Sequence, residues 1–329
     1  MGKKKVKNNQ KIIIGIITSL IILTLVVFGA NENTINAFCD IAGIDRIMEN
    51  NNANENISQL NQEKIDFVAE DDLKVYFIDV GQADSILIMN KGASMLIDAG
   101  NNEDGNNVVD FIKEKGISKL NYVIGTHPHE DHIGGLDNVI NNIEVENIYM
   151  PKIETNTKTF EDILDAISNK GMKVNSPEKG TTFQLGDAKC ETMTDLIFDK
   201  KNLNLSSIVV RLTFGNNSFL FMGDAEKDNE KDVIWPKTDV LKVGHHGSNT
   251  STSDSFVKQV LPKYSIIMVG QDNTYGLPKD SILEKLQDIG SSIYRTDEKG
   301  TIEVISNGNN IQINTQKWVN KLVQRITIM

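Results

Sequence analysis

The segment 126–135, THPHEDHIGG, constrains the fold of this chain more than any other segment. It holds three histidines and an aspartate within six positions, although the whole chain has only five histidines. An apolar run at 120–124 precedes it and predicts a buried strand, while apolar residues with helical spacing follow it over 133–143. The motif therefore lies where a strand turns into a helix.

This position predicts a metal site. In extended chain, side chains two apart point the same way, so His127 and His129 can face one ion. As the chain turns into the helix, Asp131 and His132 can reach a second position on the same side. The other two histidines are adjacent, in the segment KVGHHGS at 242–248.

Asp224 ends an apolar strand predicted at 218–222, where a buried carboxylate without a partner is costly. A bridging position between two cations would remove that cost. Nitrogen and oxygen donors without a thiolate suit two divalent ions, Zn²⁺ or Mn²⁺. Two such ions about 3.5–4 Å apart can hold the attacking and leaving oxygens of a displacement, and bound water has its pKa lowered to about 7. The predicted metal ligands are His127, His129, Asp131, His132, Asp224 and His246.

The two adjacent histidines are expected to differ in role. They leave a strand predicted at 240–243, so their side chains would project in roughly opposite senses. Gly247 would let the backbone approach the site closely, which favours His246 as the ligand. His245 would then contact a substrate phosphate or donate a proton to the leaving group. Asp131 and His245 are thus the candidate catalytic residues.

Other polar residues are expected around this site. Asp98 follows a strand predicted at 94–97 and would orient a histidine ring; a cap of the strand end is an equally good interpretation. Asp79 and Asp84 are grouped with it, mainly as structural residues of the first hairpin. The candidate residues on the substrate side are Asn204, Ser207, Ser248 and Tyr275.

The N-terminal 30 residues differ in composition from the rest of the chain. Residues 1–11 carry five lysines and no acidic residue, and 12–30 is almost wholly apolar. The apolar run is long enough for a transmembrane helix, and the lysines predict a cytoplasmic N-terminus. We therefore expect a single-pass cell-membrane anchor and an extracytoplasmic domain; a cleaved signal peptide, giving a secreted protein, is the alternative.

The remaining chain divides into three parts. Residues 31–70 are rich in Asn and Glu and predict a flexible polar stalk, 71–314 a hydrolase domain, and 315–329 a C-terminal tail. Strands and helices alternate in the domain, but hairpins also occur, which predicts an α/β fold of two mixed sheets with helices outside. Two cysteines do not make a disulfide framework.

Charge limits the class of partner. The chain carries a net charge of −11; because its first 30 residues contribute five lysines and no acid, the remainder carries −16. A domain this acidic is not built to hold nucleic acid through a broad electrostatic surface.

The pattern His127-x-His129-x-Asp131-His132 after an apolar strand resembles the signature of the metallo-β-lactamase fold. Together with the segments 77–85, 96–100, 219–224, 241–248 and 294–301, it resembles the soluble hydrolase domain of the competence protein ComEC over about 73–306. The resemblance implies a four-layer αββα sandwich, a dinuclear metal hydrolase and single-stranded DNA as substrate. The competence protein has many membrane helices, whereas at most one is predicted here.

Three departures from the family pattern are present. Many members of the family have a histidine in the segment that matches 204–210, but this chain has none there. The ComEC type is similar in lacking it. One metal site is therefore expected to be open or weaker. Leu277 stands where many relatives have a histidine, which would alter specificity or rate. Ala83 replaces a glycine, a milder change unless that position needs a positive φ.

The expected function is that of a membrane-anchored metal hydrolase that cleaves a phosphoester. The substrate could be single-stranded DNA, as the resemblance implies. A cell-surface polymer or a choline-type headgroup fits the negative charge better, and a β-lactam is a distant third. From another class, the domain could be a metal-binding or scaffolding module without turnover, although the intact ligand set argues against it.

Overall fold

The computed structural model of the protein describes residues 71–231 and 233–315. The strands form an eight-stranded sheet in the order β15-β14-β1-β2-β3-β4-β5-β6 and a seven-stranded sheet in the order β13-β12-β11-β10-β9-β8-β7. The strands are β1 (Leu73–Phe77), β2 (Ser85–Asn90), β3 (Ala93–Ala99), β4 (Lys119–Ile124), β5 (Glu144–Tyr149), β6 (Val174–Asn175), β7 (Thr182–Leu185), β8 (Ala188–Thr192), β9 (Val210–Phe214), β10 (Asn217–Phe221), β11 (Val240–Lys242), β12 (Tyr264–Ile267), β13 (Ser292–Arg295), β14 (Ile302–Ser306) and β15 (Ile311–Thr315).

The helices lie between these strands in the chain. They are α1 (Gly105–Glu114), α2 (Glu130–Ile133), α3 (Leu136–Asn142), α4 (Lys158–Asn169), α5 (Lys227–Glu230), α6 (Asp254–Val260), α7 (Asp280–Asp288) and α8 (Thr296–Lys299). In each sheet one part is parallel, β3 to β6 in the first and β10 to β13 in the second. The loops that carry the chemistry leave the carboxyl ends of β4, β10 and β11.

Three buried apolar clusters explain the layering. Strand β1 alternates: Val75 and Phe77 join a cluster between the two sheets, whereas Tyr76 joins a cluster on the outer face of the first sheet with residues of α1, α3 and α4. A third cluster packs α6 and α7 against the outer face of the second sheet. The predicted α/β fold with two sheets and helices outside is confirmed.

The helix predicted over 133–143 is present as α3, but it begins only at Leu136, because Gly134 and Gly135 separate it from α2. A Cβ on Gly134 would lie 2.3 Å from the carbonyl carbon of Asn101, and one on Gly135 would lie 2.5 Å from the carbonyl oxygen of Ala99. The two glycines therefore let this segment pack against the backbone that follows β3.

The predicted N-terminal segment 1–11, the anchor at 12–30, the stalk at 31–70 and the tail after Thr315 lie outside the described residues. Within the two described ranges, no helix combines the length and the apolar character needed to cross a membrane.

Candidate metal centre

Three loops bring their histidine and aspartate side chains together. The loop after β4 carries the first histidine motif, the end of β10 leads into Asp224, and the turn after β11 carries the histidine pair. The first loop belongs to one sheet and the other two belong to the second sheet. The site therefore exists only because the two sheets pack against each other.

Four side chains form a compact group whose possible ligand atoms all lie within 4.8 Å of one another: Asp131, His132, Asp224 and His246. Asp224 Oδ1 is 3.2 Å from His132 Nε2 and 3.7 Å from His246 Nε2. The latter nitrogen is also 3.3 Å from Asp131 Oδ2. Nitrogen and oxygen donors in equal number are suited to a divalent transition-metal ion.

Three atoms of this group are buried and form no hydrogen bond of good geometry among the described residues, although they lie close to one another: His132 Nε2, His246 Nε2 and Asp224 Oδ1. A buried polar atom without a partner is costly, and such atoms are rare in folded proteins. All three face the same small volume. A divalent cation held there would satisfy them together, so the side chains present fit the metal that the sequence predicts.

The second oxygen of Asp224 faces a different set of histidines. Its Oδ2 atom is 4.0 Å from His127 Nε2 and 3.5 Å from His245 Nε2. His127 Nε2 is in turn 3.0 Å from His129 Nδ1. The carboxylate thus lies between two groups of imidazoles, one at each oxygen.

Charge and burial act against each other in this cluster. Burial lowers the pKa of His127 well below its ordinary value of 6.5, which leaves a neutral imidazole. Burial also opposes the charged form of His132, but Asp224 and Asp131 outweigh it and hold the pKa of His132 well above that value. The histidines in turn keep the pKa of Asp224 well below its usual range despite burial. A bound cation would therefore displace protons.

Asp98 supports His132 from behind. Its Oδ2 atom lies 2.8 Å from His132 Nδ1, and its carboxylate also accepts hydrogen bonds from the backbone N–H and the hydroxyl of Thr126, both at 2.8 Å. Asp98 itself has a positive φ of 58°. The same carboxylate therefore closes the loop and fixes a histidine ring, so both sequence interpretations describe part of its contacts.

Asp84 and Lys242 form a buried ion pair beneath the cluster. Both are almost fully inaccessible. Asp84 Oδ1 is 3.4 Å from His246 Nδ1, and Lys242 also donates to the carbonyl oxygen of Gly223 at 3.4 Å. Sequence reasoning missed Lys242, although a lysine inside the apolar run VLKV is a usable signal.

Asp79 lies in the turn after β1, where its backbone N–H donates to Thr301 Oγ1 at 3.0 Å.

The two adjacent histidines have different partners and different exposure. His246 is buried, and its Nδ1 donates to the carbonyl oxygen of Met268 at 2.8 Å. A quarter of the His245 side chain is exposed, and its Nδ1 lies 2.9 Å from Thr250 Oγ1 and 3.4 Å from Glu226 Oε1. Glu226 was also missed, because nothing in its sequence context marks it.

Three of the residues predicted on the substrate side lie beside the histidine pair or Asp224, and the fourth is exposed. Asn204 is buried, with its amide nitrogen 3.3 Å from Glu226 Oε1 and 3.4 Å from each ring nitrogen of His245. Ser207 is fully buried, and its hydroxyl accepts from the backbone N–H of Asp224 at 3.2 Å. Ser248 is also buried and accepts from the N–H of Thr250 at 3.3 Å, whereas Tyr275 is 68% exposed.

Two of the departures from the family pattern can be located. Leu277 is partly buried and packs against the apolar cluster on the outer face of the second sheet. The side-chain amide of Asn273 donates to the Leu277 carbonyl oxygen and accepts from the Leu277 backbone N–H. Ala83 is fully buried and is not among the described residues with a positive φ. A glycine is therefore not required at position 83.

The chain is similar in sequence to several known proteins. The chain is 31% identical over 252 residues to ComE operon protein 3 of Bacillus subtilis, covering 70% of this chain and 32% of that protein. It is 31% identical over 240 residues to Recombination protein 2 of Haemophilus influenzae, covering 69% and 28%. The chain thus spans about a third of the length of these curated relatives.

A third relative is Competence protein ComA of Neisseria gonorrhoeae, 26% identical over 254 residues, with 72% of this chain and 33% of that protein covered. Among solved structures, the metallo-beta-lactamase fold protein YhfI of Bacillus subtilis has a TM-score of 0.50 and 12% identity, covering 74% of this chain and 100% of that one. The sequence profile of the Metallo-beta-lactamase superfamily matches residues 78–271. The predicted resemblance is therefore confirmed: the chain belongs to the metallo-beta-lactamase superfamily and is similar to competence proteins of the ComEC type.

Proposed function

We propose that this chain is a phosphodiesterase that works with two divalent ions, Zn²⁺ or Mn²⁺. The observation that carries the proposal is the position of Asp224, whose two oxygens face two separate groups of histidines. Asp131, His132 and His246 would hold one ion with Asp224 Oδ1. His127 and His129 would hold the other with Asp224 Oδ2.

The protein side of the chemistry follows from these positions. When bound, two divalent ions lower the pKa of water and screen the charge of a phosphoester. Asp131 has the most exposed side chain of the compact group, at 33%, so its carboxylate is accessible to solvent and can orient the attacking water. Asp98 and the carbonyl oxygen of Met268 hold the rings of His132 and His246 from the opposite side.

Single-stranded DNA is the substrate that we propose. The names of the similar proteins support it, because they refer to competence and recombination. The net charge of −16 after the first 30 residues supports binding at the metal centre itself rather than along a broad basic surface. The same charge favours a cell-surface phosphodiester polymer or a choline-type headgroup as the second candidate.

The location that we propose is the outer side of the cell membrane. It rests on the lysines of 1–11 and the apolar run at 12–30, which together predict an anchor with its N-terminus inside. External protease should then remove the domain from intact cells, while recovery in the cytosol would contradict the proposal.

The activity test uses the full chain, stripped of metal and reloaded with Zn²⁺ or Mn²⁺. The substrates are bis-p-nitrophenyl phosphate, labelled single-stranded DNA, a phosphocholine ester and a chromogenic β-lactam. Asp224→Ala should lower phosphodiester turnover by about 100-fold or more, since a misplacement of about 1 Å suffices for such a loss. Asp187→Asn, at an exposed surface ion pair, is the control and should keep full activity. Full activity of the metal-free chain or of Asp224→Ala would refute the proposal.

A further inference from the structure

The backbone of the histidine pair is unusual. His245 has φ 50° and ψ 50°, and His246 has φ 52° and ψ 23°. Both lie in the left-handed region, which non-glycine residues rarely adopt and which in a folded protein often marks a functional site. Two such residues in succession turn the chain sharply after β11, so the extended geometry that would send the two rings to opposite sides does not apply.

The result of this turn is that both rings face the same carboxylate. His246 Nε2 lies 3.7 Å from Asp224 Oδ1, and His245 Nε2 lies 3.5 Å from Asp224 Oδ2. The ring centres of the two histidines are 6.2 Å apart. The pair is therefore divided between the two oxygens of Asp224.

The remaining nitrogen of each ring is held by the protein. His246 Nδ1 donates to Met268, and His245 Nδ1 lies against the hydroxyl of Thr250 and the carboxylate of Glu226. A histidine that binds a metal usually has its other nitrogen engaged by a carboxylate, a carbonyl or a similar acceptor. In this respect His245 is held as His246 is: its Nε2 faces Asp224 Oδ2 at 3.5 Å, and the amide nitrogen of Asn204 lies 3.4 Å from the same atom.

The two sides of Asp224 then become equal in donor number. On the Oδ1 side lie Asp131, His132 and His246. On the Oδ2 side, His127 and His129 supply two donors in contact with each other, and His245 supplies the third. With the shared carboxylate, each side has four donors.

We propose that His245 is a metal ligand on the Oδ2 side of Asp224, together with His127 and His129, and that Glu226 is the residue that positions its ring. This inference rests on the proposed two-ion function. It also makes the two sites chemically different: three imidazoles and one carboxylate oxygen on one side, two imidazoles and two carboxylates on the other. Ions that prefer imidazole, such as Zn²⁺ or Co²⁺, should favour the first, and Mn²⁺ the second.

The test measures metal binding in the metal-free full chain, without reference to turnover. Co²⁺ is titrated with absorption spectroscopy, and bound Zn²⁺ is counted after gel filtration. His245→Asn and His246→Asn form a matched pair, because asparagine tolerates the left-handed backbone. The wild type should bind two equivalents, whereas each variant should keep one. Glu226→Gln should weaken one of the two sites by about 10- to 100-fold.

Three results would separate the possibilities. If His245→Asn keeps two equivalents with unchanged affinity, the inference is overturned and His245 is free to act on the leaving group. If the wild type binds a single equivalent, both this inference and the two-ion function fail. If the wild type binds two, His245→Asn binds one, and no phosphodiester is cleaved, the ligand assignment stands while the proposed function fails.

Discussion

At the scale of the residue, Asp98 links the backbone of the motif loop to a ring of the candidate site. Asp98→Asn keeps the size of the side chain but removes the carboxylate that faces His132 Nδ1 at 2.8 Å. We expect metal affinity to fall by about 10- to 100-fold, as it does when the partner of a ligand histidine is lost. Competition with a chelating dye measures this, and the exposed Asp187→Asn is the control. Equal affinity in both variants would show that Asp98 serves the loop alone.

Cys190 allows a prediction that does not depend on metal. Burial raises the pKa of its thiol from 9.0 to about 12. Above pH 9 the unfolded chain therefore loses a proton that the folded chain retains, and stability falls with a slope of up to about 1.4 kcal/mol per pH unit. The contribution is fully present below pH 9 and is lost as pH rises towards 12. Urea unfolding of the wild type and Cys190→Ala between pH 8 and 11 should show a shallower decline in the variant; parallel curves would contradict this.

The residues that carry a recognisable motif lie together in the structure, both the neighbours in 126–135 and the distant Asp224 and His246. Contacts made by residues outside those motifs were not predicted. Lys242 of the second sheet pairs with Asp84 in the loop between β1 and β2 of the first sheet, and no local sequence pattern predicts that contact. The orientation of the His245 ring could not be predicted either. It depends on two successive residues with left-handed backbone angles, and the sequence HHG does not predict such angles.

At the scale of the element, the ion pair of Lys242 and Asp84 joins β11 to the loop between β1 and β2. Lys242→Met should lower the free energy of unfolding by about 3–5 kcal/mol, because it leaves a buried carboxylate without its cation. The double variant Asp84→Asn/Lys242→Met should recover most of this loss. Urea denaturation of the wild type, both single variants and the double variant measures it.

The exposed pair of Lys91 and Asp187 provides the matched control. Its disruption should change the free energy of unfolding by less than about 1 kcal/mol. If Lys242→Met lowered the free energy of unfolding as little as Lys91→Met does, the buried ion pair would not stabilise the contact between β11 and the loop between β1 and β2.

Local pattern defines some elements and not others. The segment 182–185 alternates between apolar and polar residues, which predicts a strand, and β7 has these bounds, Thr182–Leu185. The segment 225–234 predicts a helix from its sequence, but the helix observed there is limited to Lys227–Glu230. There Glu230 accepts hydrogen bonds from the backbone of Thr252 and Ser253, so long-range contacts rather than helical spacing determine the local structure.

At the scale of the whole molecule, the two sheets meet at the candidate metal centre as well as in the apolar core between them. His127, His129, Asp131 and His132 follow β4 of the first sheet, and Asp224, His245 and His246 follow strands of the second. The described residues gather four carboxylates there: Asp84, Asp98 and Asp224 are buried, and Asp131 is partly exposed. Lys242 compensates Asp84, and the raised pKa of His132 leaves its ring charged beside Asp224, so divalent ions would take over the compensation that this proton provides.

Metal binding should consequently stabilise the packing of the two sheets. An ion that binds only the folded chain adds about 2.7 kcal/mol to the free energy of unfolding when it is present at about 100 times its Kd. Adding Zn²⁺ or Mn²⁺ to the metal-free chain should therefore raise the melting temperature in differential scanning calorimetry, and a chelator should reverse the change. Asp224→Asn keeps the shape of the side chain but removes the charge shared by both groups of histidines, so its melting temperature should respond much less to the same ions. An equal response of the two proteins would mean that the ions bind elsewhere on the acidic surface and that the two sheets do not share a metal centre.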